Sequence, residues 1–285
     1  MFKFYIPFYY LIHTRLRTNI DLLSWQIIFI IPQFTITYFY LNIRSDIFVL
    51  IFFITQLAFH TLYEIGYIEN DNLTTKNEKK PTLRLNRKGS AFIKKNYSKV
   101  IYVKYLIVLL LVGLLYWINT FAAYRLNIFS FISLLVLNRI FFFLHNNIRS
   151  RLNILTFFVL SITKFIFPLV LFIDFETLLY PILLSVIIFP LLRSIEISTL
   201  KRHDFKFFSK IIGDIDRFRI LFYLIASLLF ITLWFFSFLG IKNFSVSIFI
   251  LVYFLLFRIS TYFLIKEGIY RRDIKTKKNV HYKLK

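Results

Sequence analysis

The stretch from His60 to Arg84 reads HTLYEIGYIENDNLTTKNEKKPTLR. An apolar run long enough to cross a bilayer ends inside it, and carboxylates, amides, a histidine and then a dense set of cations follow. Gln56, His60 and Glu64 recur at i, i+4 and i+8, which places them on one stripe of a helix. Asp71 stands seven residues beyond Glu64 and continues that face if the helix persists. Tyr63, Tyr67 and Asp71 form the adjacent stripe. Glu64 and Asp71, on successive turns, could face one metal-bound phosphate. Gln56 and His60 read equally well as interhelical hydrogen bonders.

Further polar groups lie in other apolar runs, where an ionisable side chain is costly and points to function. Asn138 and Arg139 are followed a heptad later by His145 and Asn146. Lys164 shares its face with Asn153, Thr156 and Ser161, and Arg258 shares its own with Thr261 and Tyr262. Arg139, Lys164 and Arg258 come from three segments, with Glu64 as the main intramembrane acid. A bound anion would resolve the excess of positive charge. Snorkelling to lipid phosphate, or pairing with Glu64, is the alternative. The run Arg193, Glu196, Lys201, Arg202, His203 and Asp204 has two readings. Arg193 and Glu196 pair at i, i+3, or Glu196 and Asp204 face the carboxylates near Glu64 and Asp71. Asp214 and Asp216 are placed to favour a helix N-terminus.

These residues need membrane helices to hold them. Of 285 residues, 58% are hydrophobic, among them 38 phenylalanines, more apolar surface than a soluble domain of this length can hide. The expected fold is all-α: a polytopic helical bundle of about eight (eight to nine) transmembrane helices around a cytoplasm-facing cavity, in a single domain. The eight apolar spans are Leu22–Leu41, Ile47–Ile68, Val100–Ala122, Ile128–Asn146, Leu152–Ile173, Leu178–Ile195, Phe218–Leu239 and Val246–Ile265. The cations then alternate by side. A basic loop of about residues 69–99, the turn with Arg149 and Arg151, the loop from Arg193 to Arg219 and the tail of 266–285 fall together with Lys3, Arg15 and Arg17. The positive-inside rule puts these loops and both termini in the cytoplasm, and the expected location is a bacterial cytoplasmic membrane. The net charge of +22 is read as loop cations meeting anionic lipid, so nucleic acid is not an expected partner. There is no cysteine, which excludes disulfides and thiolate metal sites. The chain has no nucleophile elbow, P-loop, zinc signature or dinucleotide fingerprint, and no cleavable signal peptide is apparent.

The segment around Glu64 resembles the first signature of the UbiA-type intramembrane prenyltransferase superfamily, NDxxDxxxD followed by a basic stretch and a Pro-containing turn. Its first Asp falls on Glu64 and its last on Asp71. Tyr67 stands at the middle Asp and Tyr63 at the leading Asn, while Pro81, Thr82 and Arg84 fit the turn. LLRSIEISTLKRHDF (191–205) and VYFLLFRISTYFL (252–264) look like segments of the polyprenyl-phosphate phosphoribosyltransferase branch, with Arg258 at that branch's last-helix arginine. The resemblance implies a bundle that transfers a group from a diphosphate donor at the membrane surface. The expected activity is transfer of a phosphoribosyl-like sugar phosphate onto polyprenyl phosphate. Prenyl transfer to an aromatic or small acceptor is one alternative, and a non-catalytic lipid-phosphate binder or transporter is the other. On this reading Glu64, Asp71 and Tyr67 are catalytic, and Glu64, Asp71 and Glu196 hold Mg²⁺. The expected substrate-binding residues are His60, Asn70, Lys80, Arg84, Asn138, Arg139, Lys164, Glu196, Lys201, Arg202 and Arg258. Membrane lipid, polyprenyl phosphate or diphosphate and a phosphorylated donor are the expected partners, and a homo-oligomer stays open.

Overall fold

The computed structural model describes residues 2–41, 47–74, 84–121, 125–148, 150–200, 203 and 205–268. Among these, every regular element is helical. A 3₁₀ turn (Phe2–Tyr5) and a short helix α1 (Tyr9–Thr14) precede eight helices long and apolar enough to cross a membrane. These are α2 (Asn19–Tyr40), α3 (Phe48–Asn72), α4 (Arg87–Phe121), α5 (Ile128–Asn147), α6 (Asn153–Phe172), α7 (Phe175–Ser198), α9 (Ile215–Phe235) and α10 (Ile241–Lys266). The short α8 (Lys206–Ile212) lies between α7 and α9. The chain is therefore an all-α polytopic integral membrane protein, and all eight expected spans are present. Helices suit this setting because each satisfies its own backbone polar groups away from water.

The described residues form two compact units, one ending at Ser194 and one beginning at Ile195. In the first, α3 is the hub: α1, α4, α5 and α6 all pack on it. Burial decides this, since 78% of its apolar window is enclosed against 22% for α4. Close packing on α3 depends on Gly66, where a Cβ would overlap the Phe142 ring of α5. Nearby, Asn146 of α5 donates to the Gly66 carbonyl at 3.1 Å. Small residues let membrane helices approach in this way. Leu109, Leu110, Phe129 and Phe143 stay exposed, as lipid-facing side chains would.

Two local features shape α2. Thr18 and Asp21 form a reciprocal capping box at its start. A π-helical turn at Gln26–Ile30 then re-aims Phe29 ahead of Pro32. A second π turn, Ile187–Leu191 in α7, brings Phe189 against Phe29 at 4.7 Å between centroids.

The expected basic loop of about 69–99 is shorter than its charges suggest. Residues 69–72 still belong to α3, and α4 begins at Arg87, with one non-helical residue at Asn96. Ile93 and Val100 form an apolar stripe that packs with Phe4, Tyr10 and Ile68, while the intervening lysines face out. The amphipathic period was hidden by the density of cations.

In the second unit α9 and α10 form a helical hairpin, stacked through Trp234 on Phe244 (4.6 Å) and Tyr223 on Phe254 (5.3 Å). Asp214 caps α9 by accepting from the Asp216 and Arg217 amides, the helix-start role expected for it.

Candidate functional site

The polar stripe of α3 faces the N-terminal arm and α2. From the middle of the helix outward, Gln56 donates to Gln33 of α2 (3.0 Å), and Gln33 donates to the Lys164 carbonyl of α6 (2.7 Å). One turn on, the His60 ring lies 5.2 Å from Trp25 and 5.1 Å from Phe8. Phe8 takes a left-handed backbone (φ 63°) to place its ring there. This conformation costs a non-glycine residue of the order of 1–2 kcal/mol. Stretches held against such a cost cluster at functional sites.

Glu64 comes next, and both its oxygens are engaged. Oε1 accepts from the Leu11 amide (2.7 Å) and Oε2 from Lys104 of α4 (2.7 Å). At the end of the helix, Asp71 accepts from Arg15 (3.0 Å) and Arg84 (2.9 Å) on one oxygen and from the Tyr10 hydroxyl (2.9 Å) on the other. Burial, then the Asp71 charge, pushes the Tyr10 hydroxyl well above its ordinary pKa. Burial and the charge of Arg15 pull the Arg84 guanidinium below its usual value, while Asp71 acts in the opposite sense.

This donor set does not fit a magnesium site on Glu64 and Asp71. Every carboxylate oxygen already accepts from protein, and the charge that a divalent ion would add is supplied by Lys104, Arg15 and Arg84. Glu196, the third expected ligand, sits in the second unit, bound through both oxygens by Arg219, with the Nη2 contact at 2.7 Å. Among the described residues no group of three His, Asp or Glu side chains is placed to hold a metal.

The other expected site residues divide in the same way. Arg139 pairs with Glu69 (2.7 Å) and donates to the Tyr105 hydroxyl (3.2 Å). Asn138 donates to Thr163 of α6 (2.8 Å), and His145 meets Thr156 (3.0 Å), so these polar groups stitch α5 to α6. Asn70 accepts from Thr74 at the end of α3. Arg258 belongs to the second unit, where it bonds the Tyr223 hydroxyl. Arg139, expected to share an anion with Lys164 and Arg258, already has a carboxylate in Glu69. Lys80, Lys201 and Arg202 lie outside the described residues, as do Asp204, Pro81 and Thr82.

Lys164 remains. Its ammonium lies over the Phe29 ring (3.9 Å to the centroid) and within 5.3 Å of the Tyr63 centroid. No carboxylate among the described residues pairs with it. It also feels the charge of Arg15, whose guanidinium lies 4.4 Å over Tyr67. Tyr63 and Tyr67 share a hydrogen bond and pack edge to face at 5.1 Å. They link the two cations as an aromatic floor, so Tyr67 touches Arg15 where a metal-binding Asp was compared.

Sequence reading missed Tyr10 and Arg15 as site residues because the arm was read only for its charge, and Trp25 because it stands inside the first apolar run. It missed Lys104 because that lysine stands near one end of an apolar run, where a cation usually snorkels. No family model, curated protein or solved structure matches the chain.

Proposed function

We propose that this protein binds a phosphorylated amphiphile within its first unit, along the polar stripe of α3 that faces the arm and α2. One observation carries the reading: the Lys164 side chain is only 9% exposed in a membrane bundle, and among the described residues no carboxylate pairs with it. An unpaired buried charge is strongly unfavourable, and an anionic ligand removes the penalty. The surrounding Phe8, Trp25 and Phe29 suit an isoprenoid or alkyl chain. The alternation of cationic loops supports a bacterial cytoplasmic membrane with both termini inside. Binding of farnesyl phosphate to the purified protein in nanodiscs, compared with farnesol, tests the reading. Equal affinity for the two overturns it.

A second reading, group transfer from a diphosphate donor, is favoured by the pairing of Arg15 and Arg84 on Asp71. These guanidiniums lie beside the Tyr63–Tyr67 floor that Lys164 shares, which offers separate cations to two phosphorylated groups. In such a transfer the carbon–oxygen bond to diphosphate breaks and diphosphate leaves with the electron pair. A phosphate oxygen of the lipid then forms the new bond to that carbon. Membranes given labelled phosphoribosyl diphosphate and polyprenyl phosphate should yield a labelled lipid. Product only from a prenyl diphosphate and an aromatic acceptor would favour prenyl transfer instead.

A further inference from the structure

We infer that the first unit holds a phosphate monoester directly, without a metal, on the Lys164 ammonium, Arg15 Nη1, His60 Nε2 and Trp25 Nε1. The inference rests on the reading of the unit as a binder of phosphorylated amphiphiles, and adds how the phosphoryl group is recognised. Arg15 Nη1, His60 Nε2 and Trp25 Nε1 are all buried with no hydrogen-bond partner among the described residues. Leaving such a donor unsatisfied in a buried site is unfavourable, and more so when it is charged. The three are linked to Lys164 through aromatic rings: His60 and Trp25 by way of Phe29, and Arg15 by way of Tyr67 and Tyr63.

They belong to one chain of contacts. The Trp25 ring touches the rings of His60 (5.2 Å) and Phe29 (6.3 Å), and Lys164 lies over Phe29. Arg15 joins from the other side, over the Tyr67 ring that packs on Tyr63 below Lys164. His60 can donate from Nε2 in the tautomer that carries its proton there. Trp Nε1 donates only, and Arg and Lys have no acceptor, so the missing partner is an acceptor group.

Charge narrows it further. On α3, Glu64, Glu69 and Asp71 pair with Lys104, Arg139, Arg15 and Arg84, while Lys164 lies over Phe29. Each carboxylate neutralises one cation, and among these described residues two positive charges are left over. A phosphate monoester carries about −1.5 to −2 at neutral pH and three strong acceptor oxygens, which matches both the charge and the donors. Phe8 and Phe29 then flank the first carbons of the ester. His60 stands about twelve residues from either end of α3, or about 18 Å at ~1.5 Å rise per residue.

The test uses Trp25 as reporter. Trp117 and Trp234 are 57% and 42% exposed, so Trp117→Phe with Trp234→Phe leaves Trp25 as the sole tryptophan. In nanodiscs with EDTA, farnesyl phosphate is expected to change Trp25 emission saturably, and farnesol is not. Lys164→Met is expected to weaken farnesyl phosphate about tenfold or more, the scale of a lost charge-assisted hydrogen bond. The same variant should keep or raise thermal stability because it removes an unpaired buried charge, which separates lost binding from lost folding. Inorganic phosphate is the second arm. A response at similar concentration assigns the site to a soluble phosphate, and a response only to the ester assigns it to a lipid. Either outcome supports the phosphoryl site. Binding that requires added Mg²⁺, or that survives Lys164→Met unchanged, overturns the inference while leaving the phosphorylated-ligand reading intact. No response to any phosphorylated compound, with or without Mg²⁺, overturns that reading itself.

Discussion

Glu64 Oε2 lies 2.7 Å from the Lys104 ammonium, and the two side chains are 1% and 0% exposed. With the Leu11 amide on its other oxygen, Glu64 ties three segments together: the arm, α3 and α4. Removing one member of a buried pair leaves an uncompensated charge and costs about 3–5 kcal/mol, whereas replacing both with apolar groups is often nearly neutral. Lys104→Met should therefore lower the thermal midpoint sharply, and Lys104→Met with Glu64→Leu should recover much of it. A double-mutant cycle by thermal unfolding in detergent measures the coupling. Additive losses would mean that the pair is not held as described.

Asp71 fixes the arm from its other side. Asp71→Asn leaves Arg15 and Arg84 without their shared carboxylate and weakens the Tyr10 contact. Hydrogen bonds to charged groups contribute about 1.5–3 kcal/mol each. Tryptic cleavage after Arg15 or Arg17 should accelerate about tenfold or more, with the span helices still protected. Limited proteolysis followed by mass mapping reads this directly.

The Tyr10 hydroxyl gives the arm an alkaline limit. Its folded pKa is raised, first by burial and then by Asp71, so the folded protein keeps a proton that the unfolded chain releases near pH 10. Between the unfolded and folded values the native state binds more protons, so stability falls as pH rises. Unfolding followed from pH 8 to 11 should show a loss above about pH 10. Tyr10→Phe should flatten that loss.

Gly66→Ala should destabilise the first unit. The added methyl overlaps the Phe142 ring, which is itself buried, and the required shift disturbs the Asn146 bond to the Gly66 carbonyl. Overpacking of this kind costs typically ~1–3 kcal/mol. Phe142→Leu should return part of the loss when combined with it, as measured by thermal unfolding.

The fold was legible because apolar runs of membrane length leave few alternatives: the eight spans and the capping role of Asp214 could be read from residue types alone. The polar stripe of α3 was legible too, since the spacing of Gln56, His60, Glu64 and Asp71 is local information. What faces that stripe was not. Tyr10, Arg15 and Trp25 approach it from more than thirty residues away in sequence, and no helical period encodes a tertiary partner. The protein partners of Glu64 and Asp71 were hidden for the same reason. A carboxylate beside a membrane boundary looks identical in sequence whether its counter-charge is a magnesium ion, Lys104 or Arg15. Lys164 was singled out as the cation that snorkelling explains least, and no described carboxylate pairs with it, whereas Arg139 had Glu69 on α3 as a partner that its own helix could not reveal.

On the proposed reading the α3 carboxylates hold the arm while Lys164 and its neighbours take the phosphoryl group, and a density map of the protein in nanodiscs with farnesyl phosphate and Mg²⁺ distinguishes this from a metal-bridged site. Phosphate density is expected about 3 Å from the Lys164 ammonium, with Glu64 still on Lys104 and Asp71 still on Arg15. Phosphate bridged to Glu64 and Asp71 through a metal ion would contradict it.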